Sequence, residues 1–240
     1  MGASMIKISS LSKHFGKLKA VDNVSFTVSD KQCFGLLGLN GAGKTTLINM
    51  LSTQLLPTSG NAQIDGLDLV KDQESIRKIV NISPQESAVA KNLTVRENLE
   101  LIATLYDIEN KEEKIDNIIK EFGLKEKENV LCKKLSGGQA RRLSIALAII
   151  TNPKILFLDE PTLGLDAKAR KMLWEIVEKL KSQMTIILTT HYLEEVESLA
   201  DNVAIISRGK IKALGTIKEI LSLSGTQTLE EAFLNLTEEE

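Results

Sequence analysis

The chain has 240 residues, 42% of them hydrophobic, enough to bury a substantial core in one large domain or two small ones. A formal net charge of -2 with an acidic pI leaves no broad basic surface, so no nucleic-acid partner is expected. Cys33 and Cys132 lie far apart without CxxC spacing and only two His are present, which excludes a disulfide framework or Cys/His metal cluster and fits reduced thiols.

In chain order, 6–37 read as short strands. Ile6-Lys7-Ile8 and Val24-Ser25-Phe26-Thr27-Val28 alternate, and Cys33-Phe34-Gly35-Leu36-Leu37 is an apolar run. A Gly-rich turn follows, then a helix over 45–51. Ile64-Asp65-Gly66 and Ile79-Val80-Asn81-Ile82 read as further strands. From about 93 to 150 the pattern turns helical. Thr94 with Glu97 forms a capping box before an apolar face of Leu99, Ile102, Ala103 and Tyr106. Residues 111–121 make an amphipathic helix. Ser136 with Gln139 forms a second capping box, opening a helix that carries Leu143, Ala146, Leu147 and Ile150.

Strands return with Ile155-Leu156-Phe157-Leu158, a continuous apolar run suited to a parallel strand buried on both faces. Asp166 caps a helix to about 181, and 185–188 and 203–206 are two more buried strands. Arg208-Gly209-Lys210 suits a turn. Thr216 with Glu219 and Thr228 with Glu231 cap two small helices, and the acidic end 238–240 reads as a solvated tail. Strands alternating with helices indicate an α/β fold with a parallel sheet, interrupted by an inserted helical middle. No apolar run reaches the roughly 18 residues of a membrane helix, so any membrane role is expected to come through a partner.

Gly38-Leu39-Asn40-Gly41-Ala42-Gly43-Lys44-Thr45 matches the P-loop pattern in full, between a strand and a helix. Glycines let successive N–H groups curl into an anion nest, and the following helix aims its positive end at the same place. Lys44 would reach the β- and γ-phosphates, and the Thr45 hydroxyl would ligate magnesium. Asp159-Glu160 closes a buried strand, at the rim where ligands bind in open α/β sheets. Asp159 would hold Mg2+ and Glu160 would polarise the attacking water. On its own an apolar run ending in Asp-Glu is more often a strand leaving the core at a polar turn.

Leu135-Ser136-Gly137-Gly138-Gln139 chooses among P-loop NTPases. Together with the P-loop, Gln85 in Ser83-Pro84-Gln85-Glu86, Asp159-Glu160, Gly164-Leu165-Asp166 and His191, in that order, it resembles the ABC ATPase family over nearly the whole chain. The resemblance implies a RecA-like core with a mixed sheet, an inserted α-helical subdomain and a small antiparallel β subdomain. The ATPase domain would span 5–220, with its core at about 5–85 and 151–220, the helical subdomain at about 86–150, and a helical tail at 221–240. It implies ATP hydrolysis with Mg2+ in a head-to-tail dimer, homo- or heteromeric, with Ser136, Gly137, Gly138 and Gln139 of one subunit closing on the P-loop of the other.

Residue by residue, Phe15 would stack on adenine unless it is simply core. Gly38, Asn40, Gly41, Ala42, Gly43, Lys44, Thr45 and Thr46 would cradle the phosphates. Gln85 would contact Mg2+ or water and sense the membrane partner, His191 would contact the γ-phosphate, and Asp166 would communicate across the dimer or cap its helix. Residues 190–197 and 229–236 resemble ATPases of the ABC-2 export type. That implies an integral membrane permease subunit and a peripheral, cytoplasmic place on the membrane's inner face. The alternative is an ABC ATPase serving a soluble assembly or division partner.

Overall fold

The computed structural model describes residues 4–238; residues 1–3 and the last two glutamates of the acidic end lie outside the described residues. β1 (Ser4–Phe15) and β2 (Leu18–Ser29) form a hairpin much longer than the short strands expected. Register shifts between Ile8 and Leu11 and between Leu11 and Lys13, with Ser10 at φ 50°, break the alternation, so only the regular stretches stand out in the sequence. β3 (Cys33–Leu37), buried throughout, leads through the Gly-rich loop into α1 (Lys44–Leu51).

β4 (Ser59–Ile64) ends where a strand was expected to continue. Asp65 and Gly66, at φ 49° and 79°, turn the chain into β5 (Leu67–Asp68), so Asp-Gly is a hairpin turn and the strand lies upstream of it. A short α2 (Gln73–Arg77) precedes β6 (Val80–Ser83). The helical middle comprises α3 (Val95–Leu105), α4 (Lys111–Glu121) and α5 (Gly137–Ile149), and both expected capping boxes are present. Tyr106, expected on the apolar face of α3, is its C-cap and is exposed. Then come β7 (Ile155–Asp159), α6 (Ala167–Lys181), β8 (Thr185–Thr190), α7 (Leu193–Leu199), β9 (Asn202–Ser207), β10 (Lys210–Gly215), α8 (Ile217–Ser224) and α9 (Leu229–Glu238).

Two sheets result. One is antiparallel, in the order β2-β1-β4-β5; the other runs β10-β9-β3-β8-β7-β6, parallel except at β10. This is a mixed α/β fold of the expected class. The period of two sorts the buried strands of the large sheet. Phe34, Leu36, Ile155, Phe157 and Ile187 face one way and pack with the antiparallel sheet and Leu47, Ile48 and Leu51 of α1. Leu156, Leu158, Ile186 and Leu188 face the other way and join Leu143, Ala146, Leu173 and Val177 of α5 and α6. Each such Leu, Ile or Phe contributes roughly 1.5–3 kcal/mol of burial. Leu99, Ile115, Ile119 and Phe122 belong to that second cluster, so the helical middle is fastened to the sheet through α5. Among the described residues no helix is long and apolar enough to cross a membrane.

Candidate functional site

Strand order places the carboxyl ends of β3, β8 and β7 side by side. The Gly-rich loop leaves β3, His191 follows β8, and Asp159 ends β7, so three segments remote in sequence meet at one sheet edge.

Glycine is required at two loop positions. Gly43 has φ 107°, and a Cβ there would lie 2.3 Å from the Ala20 carbonyl oxygen; at Gly38 a Cβ would lie 2.4 Å from that of Ile206. Gly38 is not part of the lining of the cleft the loop frames. Its N–H donates to Thr190 O at 3.2 Å, and its carbonyl accepts from Lys44 Nζ at 2.7 Å. The loop groups that face the cleft therefore lie further along. Gly43 caps α1 without a side-chain hydrogen bond, and no acid occupies the first turn, which leaves the N–H groups of that turn to an anion. Asn40, Gly41, Ala42, Gly43, Lys44, Thr45 and Thr46 line a cleft of about 610 Å³ shared with Phe15, Gln85 and Glu160. Phe15 is not core: it is 49% exposed at the lip of that cleft, with Lys13 Nζ 5.3 Å from its ring centroid.

Behind the loop sits a buried charge network. Lys44 and Glu160 are each 5% exposed, with Nζ 3.0 Å from Oε1. That contact is an ion pair rather than a hydrogen bond, so the lone pairs of Oε1 accept no hydrogen bond among the described residues. Glu160 Oε2 lies 2.8 Å from His191 Nδ1. Thr45 Oγ1 donates to Asp159 Oδ2 at 3.0 Å, while Thr189 Oγ1 donates to Oδ1 at 2.5 Å. A hydroxyl and a carboxylate converge there as oxygen donors suited to a hard divalent cation. Glu160 adopts φ 46°, a left-handed conformation costly for a non-glycine residue. Its N–H is fixed by the Thr189 carbonyl and hydroxyl, both at 3.1 Å.

Ser136, Gly137, Gly138, Gln139 and Asp166 line a second cleft, which shares no residue with the first. Gln139 N–H donates to Ser136 Oγ at 3.3 Å and Ser136 N–H to Gln139 Oε1 at 3.0 Å, so the signature is itself a capping box. Ser136 and Gly137 are exposed at the start of α5. Asp166 Oδ1 accepts from Ala169 N at 2.8 Å and caps α6, so the helix-cap reading of this residue holds.

Sequence reasoning passed over Arg141, which is 3% exposed. Its guanidinium donates to Pro161 O at 2.9 Å, Asp159 O at 2.8 Å, Gln85 O at 3.3 Å and Pro84 O. Burial lowers its pKa to about 10 against the pull of Asp159, Glu195 and Glu160. It ties the Gln85 segment to the end of β7, and only its place just after the signature hints at this. Lys19 and Arg208 also line the nucleotide-sized cleft without a sequence signal. Burial pushes the Cys33 thiol up to about 12, which leaves it unreactive.

The ABC transporter family matches residues 21–163. The daunorubicin/doxorubicin resistance ATP-binding protein DrrA of Streptomyces peucetius is 39% identical over 227 residues, covering 93% of this chain and 69% of that protein. The phospholipid-transporting ATPase ABCA3 of Homo sapiens is 39% identical over 217 residues, covering 88% of this chain but 13% of that protein. A solved ATP-binding subunit of an ABC transporter superposes with a TM-score of 0.86 at 29% identity, covering 97% of this chain and 99% of that one.

Proposed function

The chain belongs to the ABC transporter family as an ATP-binding, ATP-hydrolysing subunit, and from that premise we propose how its residues divide the work. The carrying observation is the pair of clefts, each opened by a helix start and neither containing a residue of the other. Two anion cradles kept apart in one chain can hold one γ-phosphate only across a head-to-tail pair of chains.

ATP enters the P-loop cleft, with adenine on Phe15 and the phosphates on 40–46. Lys44 exchanges its contacts with Gly38, Leu39 and Glu160 for phosphate oxygens. Thr45, Asp159 and Gln85 would hold Mg2+, which would neutralise charge on the phosphates when bound. Glu160, freed from Lys44, accepts the proton of the attacking water, and His191 holds Glu160 and then the γ-phosphate. Ser136, Gly137, Gly138 and Gln139 of the second chain complete the cage, with Asp166 beside them. A lone chain is then expected to hydrolyse slowly or not at all.

On this reading 5–85 and 151–220 act as a catalytic lobe, 86–150 as a helical lobe and 221–240 as a tail. The stroke passes near Gln85 to an integral membrane permease, and the subunit sits peripherally on the membrane. Similarity to a drug-resistance ATP-binding protein and to a phospholipid-transporting ATPase supports export. Glu160→Gln removes the base while keeping the side chain's size. With ATP and Mg2+ it is expected to elute from a sizing column as a dimer and to hydrolyse at least about a hundredfold more slowly; a monomeric peak under those conditions overturns the scheme.

A further inference from the structure

One buried carboxyl is left without a role by the preceding scheme. Glu195 lies in α7 at 0% exposure. Facing it are the hydroxyl of Thr162, in the turn after Glu160, the hydroxyl of Thr190, immediately before His191, and the indole N–H of Trp174 on α6. All three are close enough to act on the carboxyl as hydrogen-bond donors. Both Glu195 oxygens, Thr162 Oγ1 and Trp174 Nε1 are buried, and none of these contacts reaches full hydrogen-bond geometry. Thr190 Oγ1 accepts from Tyr192 N–H at 2.9 Å, so its own proton remains to be donated.

Four buried polar atoms held short of full hydrogen-bond geometry cost more than a structural plug justifies. An incompletely bonded buried polar group is unfavourable, and a leucine there would remove the carboxyl's share. The donors are also complementary. An indole N–H and two hydroxyls can serve two carboxyl oxygens, and a protonated carboxyl can donate one bond back.

We propose that Glu195 is a positioning residue for hydrolysis, drawing the Glu160–Thr162 turn and the Thr190–His191 segment together on one buried carboxyl so that base and histidine reach the phosphate in register. This rests on the roles given above to Glu160 and His191. The neutral form is the one that fits. Burial raises the Glu195 pKa more than the three donors lower it, and the nearby Glu160 carboxylate raises it further. The other titratable groups around it are Arg141 on α5 and the Cys33 thiol on β3.

The sign follows from proton uptake. Unfolded chains hold Glu195 ionised above the ordinary carboxylate range, whereas the fold holds it neutral until its raised pKa is passed. Folding therefore binds a proton in that window, and stability falls as pH rises through it. Glu195→Gln keeps the shape and the polar atoms but cannot ionise.

The test compares the full chain with its Glu195→Gln and Glu195→Ala variants in steady-state ATP hydrolysis. Glu195→Ala is expected to lose about tenfold or more in kcat with KM for ATP within about twofold, while Glu195→Gln stays within about threefold of wild type. Equal loss in both variants, no loss in either, or a change confined to KM overturns the proposal. Should Glu195→Ala fail to fold, the melting temperatures of wild type and Glu195→Gln decide. The Gln variant should gain on wild type as pH rises above the ordinary carboxylate range, and a constant gap refutes the neutral carboxyl. Failure of the underlying scheme would look different: Glu160→Gln would still turn over ATP.

Discussion

Glu160, the base in the proposed scheme, sits in a strained backbone: a non-glycine residue at φ 46°, almost wholly buried and held by Thr189 at its N–H and by Lys44 and His191 at its carboxylate. Such strain persists only where surroundings over-determine it. Gly43 shows the converse. With φ 107° and the Ala20 carbonyl where a side chain would begin, Gly43→Ala is expected to cost about 1–3 kcal/mol and to abolish nucleotide binding, read from the denaturation midpoint and from fluorescent-nucleotide titration. At this scale the sequence was legible where chemistry is local. The loop 38–45 and the Ser136/Gln139 box announce themselves through residue type and spacing. Arg141 and Glu195 do not, because their meaning lies in what converges on them from 57 and 33 residues away, at Pro84 and Thr162.

Elements were read well where their own pattern decides them. α4 has the bounds its amphipathic spacing implies, and β7 and β8 follow their apolar runs. β1 and β2 were cut short because bulges interrupt the period that identifies a strand, and β4 was misplaced because its residues 59–63 are mostly polar and exposed. α3 stands on Leu99 and Ala103, both fully buried, and on Arg96, which pairs with Glu100, Glu112, Asp116 and Glu128. Its apolar side outweighs these partly exposed ion pairs, whose individual worth is under about 1 kcal/mol. Leu99→Ala is therefore expected to cost about 2–5 kcal/mol in urea denaturation, while ATP affinity, set at the distant P-loop, changes little.

For the molecule as a whole, alternating strands and helices gave the architecture, and the ordered motifs gave the family. What the sequence could not display was the separation of the two clefts, because distance between 38–45 and 136–139 in space is a property of the packed sheet and α5 together. That separation has a genetic consequence. Lys44→Ala spoils only the first cleft. Gly137→Asp spoils only the second: its site is exposed, with nothing nearer than 4.0 Å to an added Cβ, and it sets a carboxylate against phosphate. Each variant alone should be inactive, yet a mixed pair contains one wholly sound composite of lysine from one chain and signature from its mate. Where the proposed pair is a homodimer, random pairing of equal amounts makes about half the dimers mixed, so about a quarter of wild-type turnover should return on mixing. Two broken proteins that repair each other would place the active centre between polypeptides, and silence in the mixture would place it within one.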